Sequence, residues 1–218
     1  MKSICVVPIK SYSSRLPNKN FRKLGERPLY QWLIESIVKA HCFNSIYLDS
    51  DSEIIKKYTS EIGLGFIQRK PELAVRAANG NHLINYYRQI IPEYDFYFQC
   101  HVTSPFLSSK SIKECHRKLT TSHIYDSILT VEIINKFCWY RNNPINYDPK
   151  DLPRTQDLYP MYQETSGLYG IRADVFDKYQ CRIGKNPYFF VVSGKETIDI
   201  DTIEDFKNAE YCLRKEGR

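Results

Sequence analysis

The chain has 218 residues and a formal net charge of +6, with 42% of residues hydrophobic and 26% charged. That length carries one full hydrophobic core, and that balance belongs to a folded chain rather than a disordered one. No apolar run approaches the roughly 20 residues of a membrane-spanning helix, and the short run after Met1 suits no signal peptide, so a cytoplasmic protein with no membrane partner is expected.

Ile4 to Ile9 is a continuous apolar run, fit for a strand buried on both faces. A polar loop follows from Lys10 to Arg27, and Pro28 opens a helix that keeps its apolar spacing through Ala40. Ser45 to Leu48 predicts a second strand, after which Ser50 or Asp51 can cap a helix reaching Ile62. Strand Phe66 to Gln68, helix Asn81 to Ile90, strand Asp95 to Cys100, helix Ser109 to Thr120 and strand Ser127 to Ile133 continue the alternation. Such a βαβ series predicts a single α/β domain of Rossmann-like type, with a mostly parallel central sheet covered by helices. Ligands of such sheets lie beyond the carboxyl ends of the strands, which singles out the loops after Ile9, Leu48, Gln68 and Cys100.

After Ile134 the alternation breaks. Residues 143–163 hold four prolines and no clear period, so residues 135–165 are expected to form a protruding arm on a single domain spanning 1–218. Strands are expected at Gly167 to Ile171, near Phe189 to Val192 and at Thr197 to Ile200, then a closing helix from Thr202 to Arg214 capped by Asp201 or Thr202.

The seven cysteines contain no C-x-x-C pair, which points to reduced structural thiols and away from a zinc site. Lys10, Arg15, Lys19, Arg22, Lys23 and Arg27 fall within one loop and its flanks, opposed only by Glu26. A compact basic loop suits a small polyphosphate better than a duplex, and no nucleic-acid-binding module accompanies it. The loop Lys10-Ser11-Tyr-Ser-Ser-Arg15-Leu-Pro17-Asn-Lys19-Asn20 brings hydroxyls and cations to the end of a buried strand, although it is neither a Walker A loop nor a glycine-rich dinucleotide fingerprint. By its chemistry alone it fits a triphosphate cradle and an ordinary surface loop equally. Asp199 and Asp201 alternate along an expected strand end, so both carboxylates can share one face and hold Mg²⁺ with phosphate oxygens; Asp201 could instead cap the last helix. His101 reads as a hydrogen-bonded loop histidine rather than a base, and Asn79-Gly80-Asn81 as either a turn or an approach to a nucleobase.

Six stretches, in order, resemble the acylneuraminate and Kdo cytidylyltransferases: the Lys10–Asn20 loop, Leu48-Asp-Ser-Asp-Ser-Glu, Arg69-Lys-Pro-Glu-Leu-Ala, Phe98-Gln99-Cys-His-Val-Thr-Ser-Pro-Phe, Arg154-Thr-Gln156-Asp-Leu with Glu164-Thr-Ser-Gly167, and Ile198-Asp199-Ile-Asp201-Thr. The resemblance covers residues 4–210. It implies that Lys10, Ser11, Arg15, Lys19, Asn20, Arg69 and Asn81 hold the nucleotide, and that Arg15, Lys19 and Asp201 act on the reaction itself. Gln99, Arg154 and Gln156 would bind the sugar, Arg154 often from a neighbouring subunit of a homodimer, and Asp199 with Asp201 would hold Mg²⁺. The implied reaction joins CTP to a nonulosonate such as sialic, legionaminic or pseudaminic acid, giving a CMP-sugar for surface polysaccharide and pyrophosphate. Lys10 stands where the family has arginine, and Cys100-His101 where it has proline, which leaves the exact sugar open. A Kdo-type sugar, a sugar or polyol phosphate, or a nucleotide-binding regulator without catalysis are the rival readings.

Overall fold

In the computed structural model, which describes residues 1–75 and 78–215, seven strands form one sheet. They are β1 (Ser3–Ile9), β2 (Ser45–Ser50), β3 (Gly65–Gln68), β4 (Phe96–Cys100), β5 (Ser127–Ile134), β6 (Met161–Arg172) and β7 (Pro187–Val191). Their order across the sheet is β7-β5-β6-β4-β1-β2-β3. All run the same way except β6, which is antiparallel to both β4 and β5. The chain therefore leaves β1 in one direction through β2 and β3, then crosses back to place β4 on the other side. That reversal opens a crevice at the carboxyl ends of β1 and β4, where sheets of this kind take ligands.

Strand β1 shows why the apolar run predicts burial on both faces. Cys5, Val7 and Ile9 point into the larger core, packed by helices α1 (Leu29–Ala40) and α4 (Ser109–Thr120), which follow β1 and β4. Ile4 and Val6 point to the opposite core, with Leu83, Ile84 and Tyr87 from helix α3 (Gly80–Ile90) and Phe176 from α5 (Ala173–Tyr179). Helix α2 (Glu53–Glu61) flanks β2 and β3, and helix α6 (Ile203–Lys215) closes the fold. A third cluster joins Leu16 and Leu24 of the first loop to Leu29, Phe106, Ile200 and Phe206. Those apolar anchors hold an otherwise polar loop against α6, and so place Arg15 and Lys19.

Four expectations need correction. Thr197 to Ile200 is not a strand: a 3₁₀ turn covers Gly194–Thr197, and the extended residues beyond it pair with no ladder. Their hold comes from Ile200, whose N–H donates to the Thr103 carbonyl and whose side chain enters the third cluster. Asp51 does not cap α2; the cap is Ser52, and the Asp51 carboxylate instead accepts hydrogen bonds from the Ser11 N–H and hydroxyl. Asp201 does not cap α6 either. Thr202 and Asp205 form a reciprocal box there, Asp205 N–H donating to Thr202 Oγ1 and Thr202 N–H to the Asp205 carboxylate. Finally, β6 begins at Met161 rather than Gly167, running through an irregularity between Glu164 and Tyr169 to pair with the far end of β5. The outer part of the expected arm, from Trp139 to Asp157, keeps only two-residue strands and a single 3₁₀ turn.

Candidate active site

The crevice at the strand reversal is a cleft of about 590 Å³, within the range of small-molecule sites. Lys10, Arg15, Lys19, Asn20 and Arg69 line it, with Gly80, His101 and Thr103 opposite. A larger cleft of about 760 Å³ lies at the amino ends of the strands, where Arg88–Asp177 and Arg172–Asp174 pair with each other along its wall. Two buried unpartnered atoms, Asn20 Oδ1 and Arg69 NH1, belong to residues that line the first cleft.

Asp201, which is not itself on the lining, anchors two of the lining cations. Lys19, buried to 8% exposure, donates from Nζ to Asp201 Oδ1 at 2.8 Å and to the Ile200 carbonyl at 2.8 Å. Arg15 NH1 lies 2.8 Å from Asp201 Oδ2, but its side chain is 65% exposed. One cation is thus buried and the other largely exposed, on the same carboxylate. Asn18 makes this possible: at φ 55° it sits in the left-handed region, which asparagine tolerates, and turns the chain into the Lys19–Phe21 3₁₀ turn. Asn20 Nδ2 donates to the Lys10 carbonyl at 2.9 Å, bracing the loop, while its buried Oδ1 has no hydrogen-bond partner among the described residues.

Asp199 lies one residue before Ile200 on the same extended segment. Burial pushes its carboxyl above the ordinary aspartate range, the Asp201 charge adds to that, and a hydrogen bond involving Thr103 opposes it. Its Oδ1 is buried and unpartnered among the described residues. A bare carboxylate oxygen beside a second carboxylate is chemistry that a hard divalent cation could use, but both Asp201 oxygens are engaged here by Lys19 and Arg15, so Asp199 Oδ1 is the free donor of the two. No cluster of three or more metal-ligating side chains occurs among the described residues, which leaves phosphate and water to complete such a shell.

Behind the cleft, Arg69 is held by Asp49 with both side chains fully buried. Nε lies 3.1 Å from each carboxylate oxygen, and NH2 reaches Oδ2 at 2.6 Å and the Asp49 carbonyl at 3.1 Å. Tyr87 donates its hydroxyl to the same Oδ2. NH1 of Arg69 is buried and has no partner among the described residues. Burial lowers the nearby Lys10 ammonium, and the Arg69 charge lowers it further; Lys10 Nζ donates to the Val75 carbonyl at 3.0 Å. Ser11 is engaged with Asp51, whose carboxyl stays below its usual range because the Ser11 and backbone hydrogen bonds outweigh burial.

Gln99, at the end of β4, is fully buried. His101 follows it, and burial reinforced by the Arg182 charge pushes its imidazole down to about 3, so it is neutral and no general base near pH 7. Asn81 does not line the cleft; its Oδ1 accepts the Arg182 N–H at 2.9 Å. Arg154 and Gln156 are exposed on the arm, Arg154 paired to Asp157 at 2.7 Å, and neither lines the cleft of its own chain. Arg182, which no sequence pattern singles out, lies between Gln99 and Tyr169.

A profile of the Cytidylyltransferase family matches residues 4–216. The N-acylneuraminate cytidylyltransferase of Streptococcus agalactiae serotype III is 25% identical over 99% of this chain and 55% of its own length. The pseudaminic acid cytidylyltransferase of Campylobacter jejuni is 24% identical over 98% of this chain and 97% of its own. The chain therefore spans about half the length of the streptococcal relative and nearly all of the Campylobacter one. Among solved structures, a CMP:2-keto-3-deoxy-manno-octonic acid synthetase complexed with CTP superposes with a TM-score of 0.73, at 16% identity, over 99% of this chain and 100% of that one.

Proposed function

Because the chain belongs to the cytidylyltransferase family, we propose that it couples CTP to a nine-carbon 2-keto-3-deoxy acid sugar, forming a CMP-sugar and releasing pyrophosphate. The observation that carries this reading is the pair of cations on Asp201, Lys19 buried and Arg15 largely exposed, both lining the cleft beyond β1. A triphosphate offers Arg15 a stronger partner than one carboxylate, so Arg15 turns from Asp201 onto the phosphates while Lys19 stays anchored by the Ile200 carbonyl. The Arg69 NH1 group and the Lys10 ammonium add donors deeper in the cleft.

The anomeric hydroxyl of the sugar attacks the α-phosphorus and gives up its proton to water, the bond from the α-phosphorus to the oxygen it shares with the β-phosphate breaks, and pyrophosphate leaves with that bond's electron pair. Positioning and neutralisation by Arg15 and Lys19 supply the catalysis, with no covalent intermediate on the chain. Asp199 and Asp201 would hold Mg²⁺, which when bound neutralises phosphate charge and acidifies a coordinated hydroxyl. The bare Asp199 Oδ1 supports that assignment.

Phe137, Trp139, Tyr140, Ile145, Leu152 and Tyr159 are all exposed along the arm. An apolar surface of that extent suits a second copy of the chain, and a homodimer would bring Arg154 and Gln156 to the partner's cleft. CTP as substrate and seven free thiols fit a cytoplasmic enzyme making precursors for surface glycans.

The test is pyrophosphate release with Mg²⁺, each of the four nucleoside triphosphates, and a panel of acid sugars and sugar phosphates. Release confined to CTP with an acid sugar supports the reading. Release with a sugar phosphate overturns the substrate, and CTP binding without release leaves a regulator.

A further inference from the structure

Arg182 sits in the loop between α5 and β7, half-buried, with its guanidinium carbon 3.5 Å above the ring of Tyr169. Its NH1 donates to Gln99 Oε1 at 2.6 Å. Its backbone N–H donates to Asn81, which fixes the loop to the first turn of α3. No carboxylate lies within 4 Å of it among the described residues; Glu164 acts on it from further away and accepts the Tyr169 hydroxyl. A half-buried guanidinium compensated by the Tyr169 ring and a more distant Glu164, with no counter-ion within 4 Å among the described residues, has room for an anion.

Its effect on Gln99 is as important as its charge. A guanidinium can only donate, so Gln99 must turn its carbonyl oxygen toward Arg182 and its amide nitrogen away. That nitrogen, Nε2, is buried and unpartnered among the described residues. The two side chains therefore present donors only. Neither side chain is itself on the cleft lining, but Gly80 is, and a Cβ built on it would stand 2.2 Å from Arg182 NH1, so the guanidinium lies directly behind that wall. Only a residue without a side chain leaves the guanidinium its place beside the cleft wall.

We infer that Arg182 and Gln99 form a donor-only clamp for the carboxylate of the sugar substrate, and that Arg182 makes the site select acid sugars over neutral ones. The inference rests on the cytidylyltransferase reading for the identity of the substrate. The clamp takes any planar carboxylate with both oxygens free, and it offers nothing to a hydroxymethyl group or an ester that needs only one acceptor satisfied.

The experiment uses Arg182→Met, which keeps the apolar stem over Tyr169, Arg182→Lys, which keeps the charge, and Gly80→Ala, which crowds the guanidinium from a helix position where alanine is favourable. Steady-state kinetics use CTP with N-acetylneuraminic, legionaminic and pseudaminic acids. Calorimetric titration of the CTP-loaded protein uses whichever acid is turned over, or all three if none is, beside its methyl ester. Arg182→Met is expected to raise KM for the acid sugar roughly 10- to 150-fold with KM for CTP unchanged. Gly80→Ala should move the same parameter in the same direction, and Arg182→Lys should recover part of the loss. Wild type should bind acid over ester, and Arg182→Met should lose that preference. Equal binding of acid and ester by wild type, or an acid-sugar KM untouched in both Arg182→Met and Gly80→Ala, overturns the clamp while leaving turnover in place. Tight, Arg182-dependent binding of the acid without any pyrophosphate release supports the clamp and defeats the catalytic reading instead. A merely structural role would lower the melting temperature and raise both KM values together.

Discussion

The buried pair of Asp49 and Arg69 gives the sharpest quantitative test of how the cleft is supported. Asp49→Asn keeps the shape of the side chain but removes its charge, leaving a guanidinium with both partners at 0% exposure and nothing to balance it. With the amide nitrogen in the place of Oδ2, the lost contacts are the 3.1 Å bond from Nε, the 2.6 Å bond from NH2 and the acceptor of the Tyr87 hydroxyl; the Nε bond to Oδ1 and the NH2 bond to the Asp49 carbonyl remain, without the charge. Breaking one partner of such a pair costs about 3–5 kcal/mol, most of it the stranding of the other charge. At about 2–4 °C per kcal/mol for a chain of this size, the melting temperature should fall by about 6–20 °C. Urea unfolding followed by circular dichroism reads the same loss as a lower midpoint at constant slope. The double variant Asp49→Leu with Arg69→Met removes both charges and should return to within about 2 kcal/mol of wild type, the remainder being the unpaired Tyr87 hydroxyl. An Asp49→Asn protein within about 1 kcal/mol of wild type would refute the account of this pair.

Arg15→Ala should leave stability within about 1 kcal/mol, because that ion pair is largely exposed, while raising KM for CTP; Asp201→Ala should abolish turnover with the far-ultraviolet spectrum unchanged. Asp199→Asn should leave the metal-free protein as stable or slightly more so in urea unfolding, since it removes a buried charge. The same variant should raise the Mg²⁺ needed for half-maximal rate at least roughly tenfold. Mixing inactive Arg154→Ala with inactive Asp201→Ala protein should restore pyrophosphate release if the arm completes the partner's site, and no recovery would confine Arg154 to its own chain. The His101 imidazole, pushed down to about 3 in the folded state, binds its proton more readily when unfolded. Stability should therefore drop as pH falls from about 6.5 toward 3, and His101→Phe should flatten that limb in urea titrations at pH 7 and pH 5. His116, lowered by burial, contributes with the same sign.

The helices and inner strands were readable because their apolar periodicity is set by two flanking cores; the alternation of Cys5, Val7 and Ile9 with Ile4 and Val6 is the plainest case. The first half of β6 was not, because Gln163 and Glu164 carry no strand signal, being exposed residues that pair with Glu132 and Val131 near the far end of β5. Residues 198–200 misled in the opposite sense: Ile198 and Ile200 alternate as in a strand, yet they pack into the cluster around α6 with no neighbouring strand to pair. Asp51 and Asp201 resemble helix caps locally, and only the tertiary arrival of Ser11, Lys19 and Arg15 shows where their charge is used. The cationic loop was legible as chemistry; what the sequence did not show is that Leu16 and Leu24 pin it against the closing helix beside the cleft. Arg182 was illegible for a simpler reason. A single arginine in a loop has no pattern, and its meaning comes from Gly80, Gln99 and Tyr169, which are distant in sequence.

The most direct measurement of the central claim follows one oxygen atom. An acid sugar carrying heavy oxygen at its anomeric hydroxyl is incubated with CTP, Mg²⁺ and the protein, and the products are separated and weighed by mass spectrometry. The account expects a CMP-sugar that retains the heavy atom in its bridge to phosphorus and a pyrophosphate that carries none. A pyrophosphate that carries the label, a CMP-sugar that lacks it, or no CMP-sugar at all would contradict attack by the sugar on the α-phosphorus in this cleft.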